Sequence, residues 1–181
     1  MELIKTGLEG LILIKPNVFK DDRGFFFESY SQRSFVNNGV ANVFVQDNHS
    51  MSVRKGVLRG LHFQKPPHAQ AKLVRVTRGS VFDVAVDLRK SSPTFGKWQG
   101  FELSVDNFNM LFIPQGFAHG YCTLEENTEF LYKCDTFYMP DYEECLLWND
   151  PTLNIAWPVK IPVLSVKDSK GKLFRDYNSP F

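Results

Sequence analysis

The sequence predicts an all-β protein: a sandwich or barrel of jelly-roll topology, with a few short helices and an extended C-terminal tail. Three observations carry this. Most of the 181 residues fall into short extended segments separated by turn residues, at the spacing typical of sandwich and barrel strands. Several of those segments alternate apolar and polar side chains with a period of two. The 17 phenylalanines suit pleated sheet surfaces better than helices.

Taken in order, "MELIKTGLEGLILIKP" has too short an apolar run for a signal peptide or a membrane span, and acidic residues interrupt it. Ser31 to Asn38 is expected to form one short helix, stopped by Asn38-Gly39. "FVQDNHS" is polar in the middle of strand-like sequence. In "VLRGLHFQ" alternation puts Gly60, His62 and Gln64 on one face, with Leu61 and Phe63 on the other. Lys72 faces with Val74 and Val76. "SVFDVAVDLR" sets Phe82, Val84, Val86 and Leu88 against Asp83 and Asp87. Arg78-Gly79 between two such segments predicts a hairpin. "FELSV", "MLFI", "GYCTL" and "TEFLYKC" supply further strands, punctuated by "DNFN", "PQG" and "EEN". The last thirty or so residues, with Pro151, Pro158, Pro162 and Pro180, read as a tail packed over the sheet.

Residues 1–181 read as a single domain, long enough for one sizeable core. Lys+Arg 21 against Asp+Glu 20 leaves no electrostatic footprint for nucleic acid and no basic run for a membrane surface. Cys122, Cys134 and Cys145 form no CxxC pair, which argues against a disulfide framework or zinc ribbon and for a reducing, cytoplasmic compartment.

Small β-barrels of the cupin type often hold a metal through a His-x-His pair, a downstream Glu and a further His after a Pro-x-Gly turn. "PQGFAHG" supplies that turn and His119, but "GLHFQ" has Gln64 where the second histidine belongs. Gln is a poor ligand for metals that imidazole serves, so no metal is expected. His62 is then a core histidine or a base. A face holding Gly, His, Gln and Lys is a poor dry core, and lysine is almost never fully buried unpaired. That face is therefore expected to line a wet cavity, and the polar company favours a chemical role for His62. Arg23 and Glu28 in "FKDDRGFFFES", and Arg59 beside His62, are polar residues that surface loops explain equally well. Tyr132 shares a face with Phe130 and Cys134 and by itself reads as core packing.

Several long motifs carry a resemblance. They are "DDRGFFFESYSQRSF", "QDNHSMSVRKGVLRGLHFQ", "KLVRVTRGSVFDVAVDLRKSSPTFGKW", "IPQGFAHGY", "YKCDTFYMPDYEECLLWNDP" and "SVKD". Together they span nearly the whole chain, and they resemble the dTDP-4-dehydrorhamnose 3,5-epimerases, a cupin-like jelly-roll family. The resemblance implies an isomerase without a cofactor, acting on a dTDP-4-keto-6-deoxy sugar by proton abstraction beside the C4 ketone. It implies His62 as base, Asp168 as the carboxylate that orients it, Lys72 as the cation at the developing enolate, and Tyr132 as proton donor on the opposite face. Arg23, Arg59 and Lys167 are implied at the diphosphate or nearby oxygens. Glu28, Gln46, Asn48, His119 and Glu143 are implied as further substrate contacts, with Tyr138 stacking on thymine. A homodimer is implied, with some contacts supplied by the partner's N-terminal arm. The rival readings are a 3-epimerase serving another deoxysugar, a non-catalytic cupin-like sugar-binding module, and a metal-dependent oxygenase, the last disfavoured by Gln64.

Overall fold

Alternating strands need two partners for their buried faces, and the chain supplies them by stacking two antiparallel sheets. The computed structural model describes residues 1–181. The strands are β1 (Glu2–Lys5), β2 (Ile12–Lys15), β3 (Phe19–Asp21), β4 (Gly24–Phe26), β5 (Gln46–Ser52), β6 (Leu58–Gln64) and β7 (Lys72–Arg78). They continue as β8 (Ser80–Asp87), β9 (Trp98–Ser104), β10 (Met110–Ile113), β11 (Phe117–Thr123), β12 (Thr128–Cys134) and β13 (Glu143–Cys145). One sheet runs β1-β2-β10-β7-β12-β5, the other β13-β6-β11-β8-β9, and β3 and β4 form a separate hairpin. From β5 to β8 successive strands change sheet at every step, the crossing pattern of a jelly roll.

That crossing corrects one expectation. Arg78-Gly79 does turn the chain, but β7 and β8 lie in opposite sheets and do not pair. Their apolar rows meet face to face instead: Val74 and Val76 share a buried cluster with Val81 and Ala85. Gly79, at φ +74°, makes the corner, where an added Cβ would sit 2.5 Å from Thr128 Oγ1.

The central core lies between the sheets, with Leu103, Leu111, Ile113, Phe117, Tyr121 and Phe130 completing it. The opposite row of β8 is buried too, because the tail covers it. Val84, Val86 and Leu88 pack with Leu61, Phe63, Leu153, Trp157, Phe174 and Phe181. Each such aromatic or aliphatic side chain contributes about 1.5–3 kcal/mol when buried. Two indoles fasten the tail: Trp98 Nε1 donates to Leu153 O at 2.9 Å and Trp157 Nε1 to Trp148 O at 2.7 Å.

Helix α1 (Gln32–Asn37) matches its expected span, with Ser31 as N-cap accepting from Ser34 N and Asn38 as C-cap. It buries Phe35 against Ile14, Leu73 and Met110 on the outside of the first sheet. The β3–β4 hairpin projects instead. Phe19, Phe25 and Phe26 are 67%, 55% and 72% exposed.

Candidate active site

The site grows from a close approach of two strands. Gly60 at φ +138° leaves room for Gly120: a Cβ there would stand 2.5 Å from the Gly120 Cα. This lets β6 lie tightly on β11, in a register that sets His62 opposite His119. On its other edge β6 pairs with β13, which sets Cys145 opposite His62 and Glu143 opposite Gln64. In the facing sheet, β12 sets Tyr132 opposite Asn48 and Cys134 opposite Lys72.

His62 and the buried Asp168 are brought together. Nε2 of His62 stands 2.6 Å from Oδ1 of Asp168, which lies in the 3₁₀ turn Asp168–Lys170 of the tail. Close as the two atoms are, Nε2 has no hydrogen-bond partner of good geometry. Asp168 is itself held: Oδ1 accepts from Gly60 N at 3.2 Å and Oδ2 from Ser165 Oγ at 2.6 Å. Burial pushes its pKa up, but His62, Ser165 and the Gly60 amide outweigh burial and hold the carboxyl below its usual value.

A cavity of about 270 Å³ opens on this pair. Arg59, His119, Tyr121, Phe130, Tyr132 and Ser50 line the rest of it, together with Ser165. Arg59 Nη2 reaches Met51 O and Ser52 Oγ at 3.4 and 3.5 Å. Burial raises the Tyr132 phenol to about 12. Lys72 is not among the lining residues. Its ammonium lies 5.9 Å from the Tyr132 ring centroid. Burial lowers the Lys72 pKa, while Cys134, Glu143 and Asp83 work to keep the charge.

A second group is assembled around Glu143, opposite Gln64 on β13, and Lys167, next to Asp168 in the chain. Tyr138 donates its hydroxyl to Glu143 Oε2 at 2.6 Å, and Lys167 pairs with the same carboxylate. Gln46 Oε1 accepts from Tyr138 N at 2.8 Å and Gln46 Nε2 donates to Asn48 at 3.1 Å. Asn48 in turn donates to Cys134 Sγ. Gln64 is a clamp: its amide donates to His68 O and Phe137 O and accepts from Met139 N, fixing the segment that carries Tyr138.

Besides Lys72, which stands behind the Tyr132 ring rather than in the lining, Arg23 and Glu28 are expected residues that lie away from this cavity. Arg23 is 90% exposed and bonds Asp21 in the β3–β4 hairpin, while Glu28 accepts from Ser34 Oγ of α1. Conversely, sequence reasoning passed over Asp83, Cys145 and Ser165. Asp83 is fully buried and holds His119 Nε2 at 3.0 and 3.1 Å through its two oxygens. Its signal was present in "SVFDVAVDLR": an aspartate facing away from the apolar row of a strand buried on both sides must have a partner.

The family model described as dTDP-4-dehydrorhamnose 3,5-epimerase matches residues 5–176. The enzyme of that name from Pseudomonas aeruginosa is 56% identical over 178 residues, covering 97% of each chain. The crystal structure of the Bacillus anthracis enzyme, with TDP and PPi bound, superposes with a TM-score of 0.93 at 50% identity, over 95% of this chain and 98% of that one. The Legionella pneumophila dTDP-6-deoxy-D-glucose-3,5-epimerase, in complex with dTDP-4-keto-L-rhamnose, gives 0.93 at 45% identity, over 98% and 94%. Similar in sequence from end to end and alike in fold, the chain belongs to the dTDP-4-dehydrorhamnose 3,5-epimerase family.

Proposed function

We propose that residues 1–181 act as one isomerase domain converting dTDP-4-dehydro-6-deoxy-D-glucose to dTDP-4-dehydro-L-rhamnose, by inversion at C3 and C5, within dTDP-rhamnose biosynthesis. The observation that carries this is the His62–Asp168 pair set in the wall of a cavity that Tyr132 also lines. A volume of about 270 Å³ lies just under the range of roughly 300–1,000 Å³ for small-molecule sites. It suits the sugar ring, with the nucleotide running outward.

The C4 ketone acidifies the protons on C3 and C5. Nε2 of His62 faces the Asp168 carboxylate at 2.6 Å, so Nδ1 is the nitrogen left to take each proton, and the carboxylate then stabilises the imidazolium. The electron pair moves onto O4, where the Lys72 ammonium stabilises charge that the ground state lacks. Tyr132 gives a proton to the opposite face of the same carbon. A phenol at about 12 stays protonated until a strongly basic enolate carbon takes the proton. Solvent then removes the proton from His62 and restores that of Tyr132. No cofactor enters this scheme.

Arg59 and Lys167 serve the diphosphate and nearby oxygens. Tyr138, half exposed, offers its ring to thymine. Gln46, Asn48, His119 and Glu143 meet sugar hydroxyls or the base. Arg23 and Glu28 enter a site only if the protein is a homodimer whose hairpin reaches across, and the exposed Phe19, Phe25 and Phe26 give that hairpin an apolar surface to cover. Three free cysteines fit a reducing cytoplasm, and no helix is long and apolar enough to cross a membrane.

The test is incubation with dTDP-4-dehydro-6-deoxyglucose in heavy water, read by NMR. Deuterium at both C3 and C5 is expected. Deuterium at C3 alone would make the chain a 3-epimerase, and none at either carbon would leave only a binding module.

A further inference from the structure

Cys145 has no place in the scheme above, yet it stands opposite His62 across the β6–β13 ladder. With Asp168 it completes a trio whose ligand atoms, one from each residue, all lie within 4.8 Å of one another. The trio draws on three separate elements, β6, β13 and the 3₁₀ turn of the tail. Two further facts bear on it. His62 Nε2 is buried without an aligned donor or acceptor, despite the nearness of the Asp168 oxygen. His62 and Asp168 also line the cavity, so the trio has an entry path and an open side.

We propose that His62, Cys145 and Asp168 form a site for a thiophilic divalent cation, zinc foremost, and that its occupation stops turnover by engaging the imidazole. One nitrogen, one sulfur and one carboxylate oxygen are the donors zinc takes, and three protein ligands with an open fourth position are a common zinc arrangement. Bonds of about 2.0–2.3 Å in a tetrahedron require ligand atoms roughly 3.4–3.6 Å apart. His62 and Asp168 therefore open slightly from 2.6 Å and the cysteine turns inward. The fourth position faces the cavity and takes a water.

Cys145 explains the selectivity. Its thiol, which points to Leu146 O at 3.4 Å, is a soft sulfur donor, and only a cation that bonds strongly to sulfur takes it as a ligand, releasing its proton to solvent. Magnesium and calcium, which demand oxygen ligands, leave the trio empty. The binding half of this inference is independent of the reaction; the inhibitory half rests on His62 being the base.

Cobalt(II) serves as the spectroscopic probe for zinc. Added to chelator-treated full-length protein, it is expected to give the visible bands of a tetrahedral site and a thiolate-to-cobalt charge-transfer band, both abolished by zinc. Zinc is expected to inhibit epimerisation reversibly, with activity restored by EDTA, while magnesium has no effect. Cys145→Ala and Cys145→Ser keep turnover in metal-free buffer, lose the charge-transfer band, and need at least about 10–100-fold more zinc for the same inhibition. A wild-type protein without the thiolate band, or a Cys145→Ala protein as zinc-sensitive as wild type, overturns the proposal. Failure of the epimerase reading looks different: no turnover in metal-free protein that still shows the cobalt–thiolate band.

Discussion

Asp168 reaches His62 from the far end of the chain, with Oδ1 2.6 Å from Nε2, and the tail that carries it is otherwise a cover for the second sheet. The tail therefore does two things at once, closing a hydrophobic face and bringing a carboxylate to His62. His62→Ala is expected to abolish deuterium exchange at C3 and C5. Asp168→Asn, which keeps the shape but removes the charge, is expected to lower kcat by about 10²-fold or more, within the range for general acid–base groups. Steady-state rates and exchange by NMR check both, and appreciable exchange in His62→Ala would remove that residue from its role.

Lys72 titrates in a particular direction. Burial lowers its pKa, and only the protonated form stabilises an enolate, so kcat is expected to fall as pH rises through a value below that of an exposed lysine. Lys72→Met is expected to cost roughly 10²–10³ in kcat, the loss seen when an oxyanion-stabilising donor is removed. Lys72→Arg carries a charge that persists beyond about pH 12. Whatever activity it retains should therefore lack the alkaline fall, and a kcat–pH profile of that variant unchanged from wild type would acquit Lys72.

Tyr132→Phe separates proton removal from proton return. The ring still packs near Phe130, with centroids 6.1 Å apart in the wild type, so the fold is kept. His62 continues to remove protons, while nothing on the opposite face restores them. The expected result is deuterium entering recovered substrate while the L-sugar product falls by about 10²–10⁴-fold. Measuring substrate and product separately by NMR decides it: equal losses in exchange and product would place Tyr132 in packing or binding.

The strands and the helix were legible because their signals are local. Alternation marked β8 and the inward row of β6, and Ser31 and Asn38-Gly39 marked both ends of α1. Sheet membership was not local. The same alternating rows satisfy a hairpin or a pair of facing sheets, and only the shared cluster of Val74, Val76, Val81 and Ala85 distinguishes them. The site divides in the same way. His62 and Lys72 betray themselves as polar residues on strand faces that ought to be apolar. Asp168 sits in an irregular, proline-flanked tail with no periodicity to contradict, so only the resemblance singled it out. Asp83 shows in the alternation of β8 as a polar residue in need of a partner, but naming His119 as that partner needed the β8–β11 register, and Cys145 needed the β6–β13 register, neither of which a short-range pattern encodes.

Asp87 carries a stability prediction away from the chemistry. Its fully buried carboxylate accepts from Arg89 Nε and Nη2, Ser92 Oγ and Thr94 Oγ1 at 2.6–2.9 Å. Burial raises its pKa, but those donors prevail and hold it below the usual carboxylate value. A depressed folded pKa contributes stability that is fully present above the unfolded value of about 3.9 and disappears as pH falls through the folded one. Asp87→Asn is therefore expected to lose about 1.5–3 kcal/mol at pH 7, the worth of hydrogen bonds to a charged group. It should also lose less than wild type on acidification. Urea midpoints at pH 7 and at pH values below about 4 check the sign; an unchanged acid limb would show that the group does not titrate in this way.

Arg23 poses the remaining question, since its guanidinium lies on an exposed hairpin bonded to Asp21 and lines a different hollow from His62. If that hairpin completes the neighbouring subunit's site, Arg23→Ala and His62→Ala are complementary defects. Each homodimer is impaired at both sites: His62→Ala has no base, and Arg23→Ala is expected to be slowed about 10-fold or more at substrate below KM, where a lost charge-assisted hydrogen bond is felt. In a hybrid, one site collects both damaged residues and the other collects both native ones. Random pairing on co-expression makes half of the dimers hybrids, so activity should recover towards about a quarter of the wild-type rate. A site built from one chain alone leaves every hybrid site with one defect, and mixing then yields only the average of the two parents. Recovery above that average is therefore a direct reading of whether Arg23 acts across a subunit boundary.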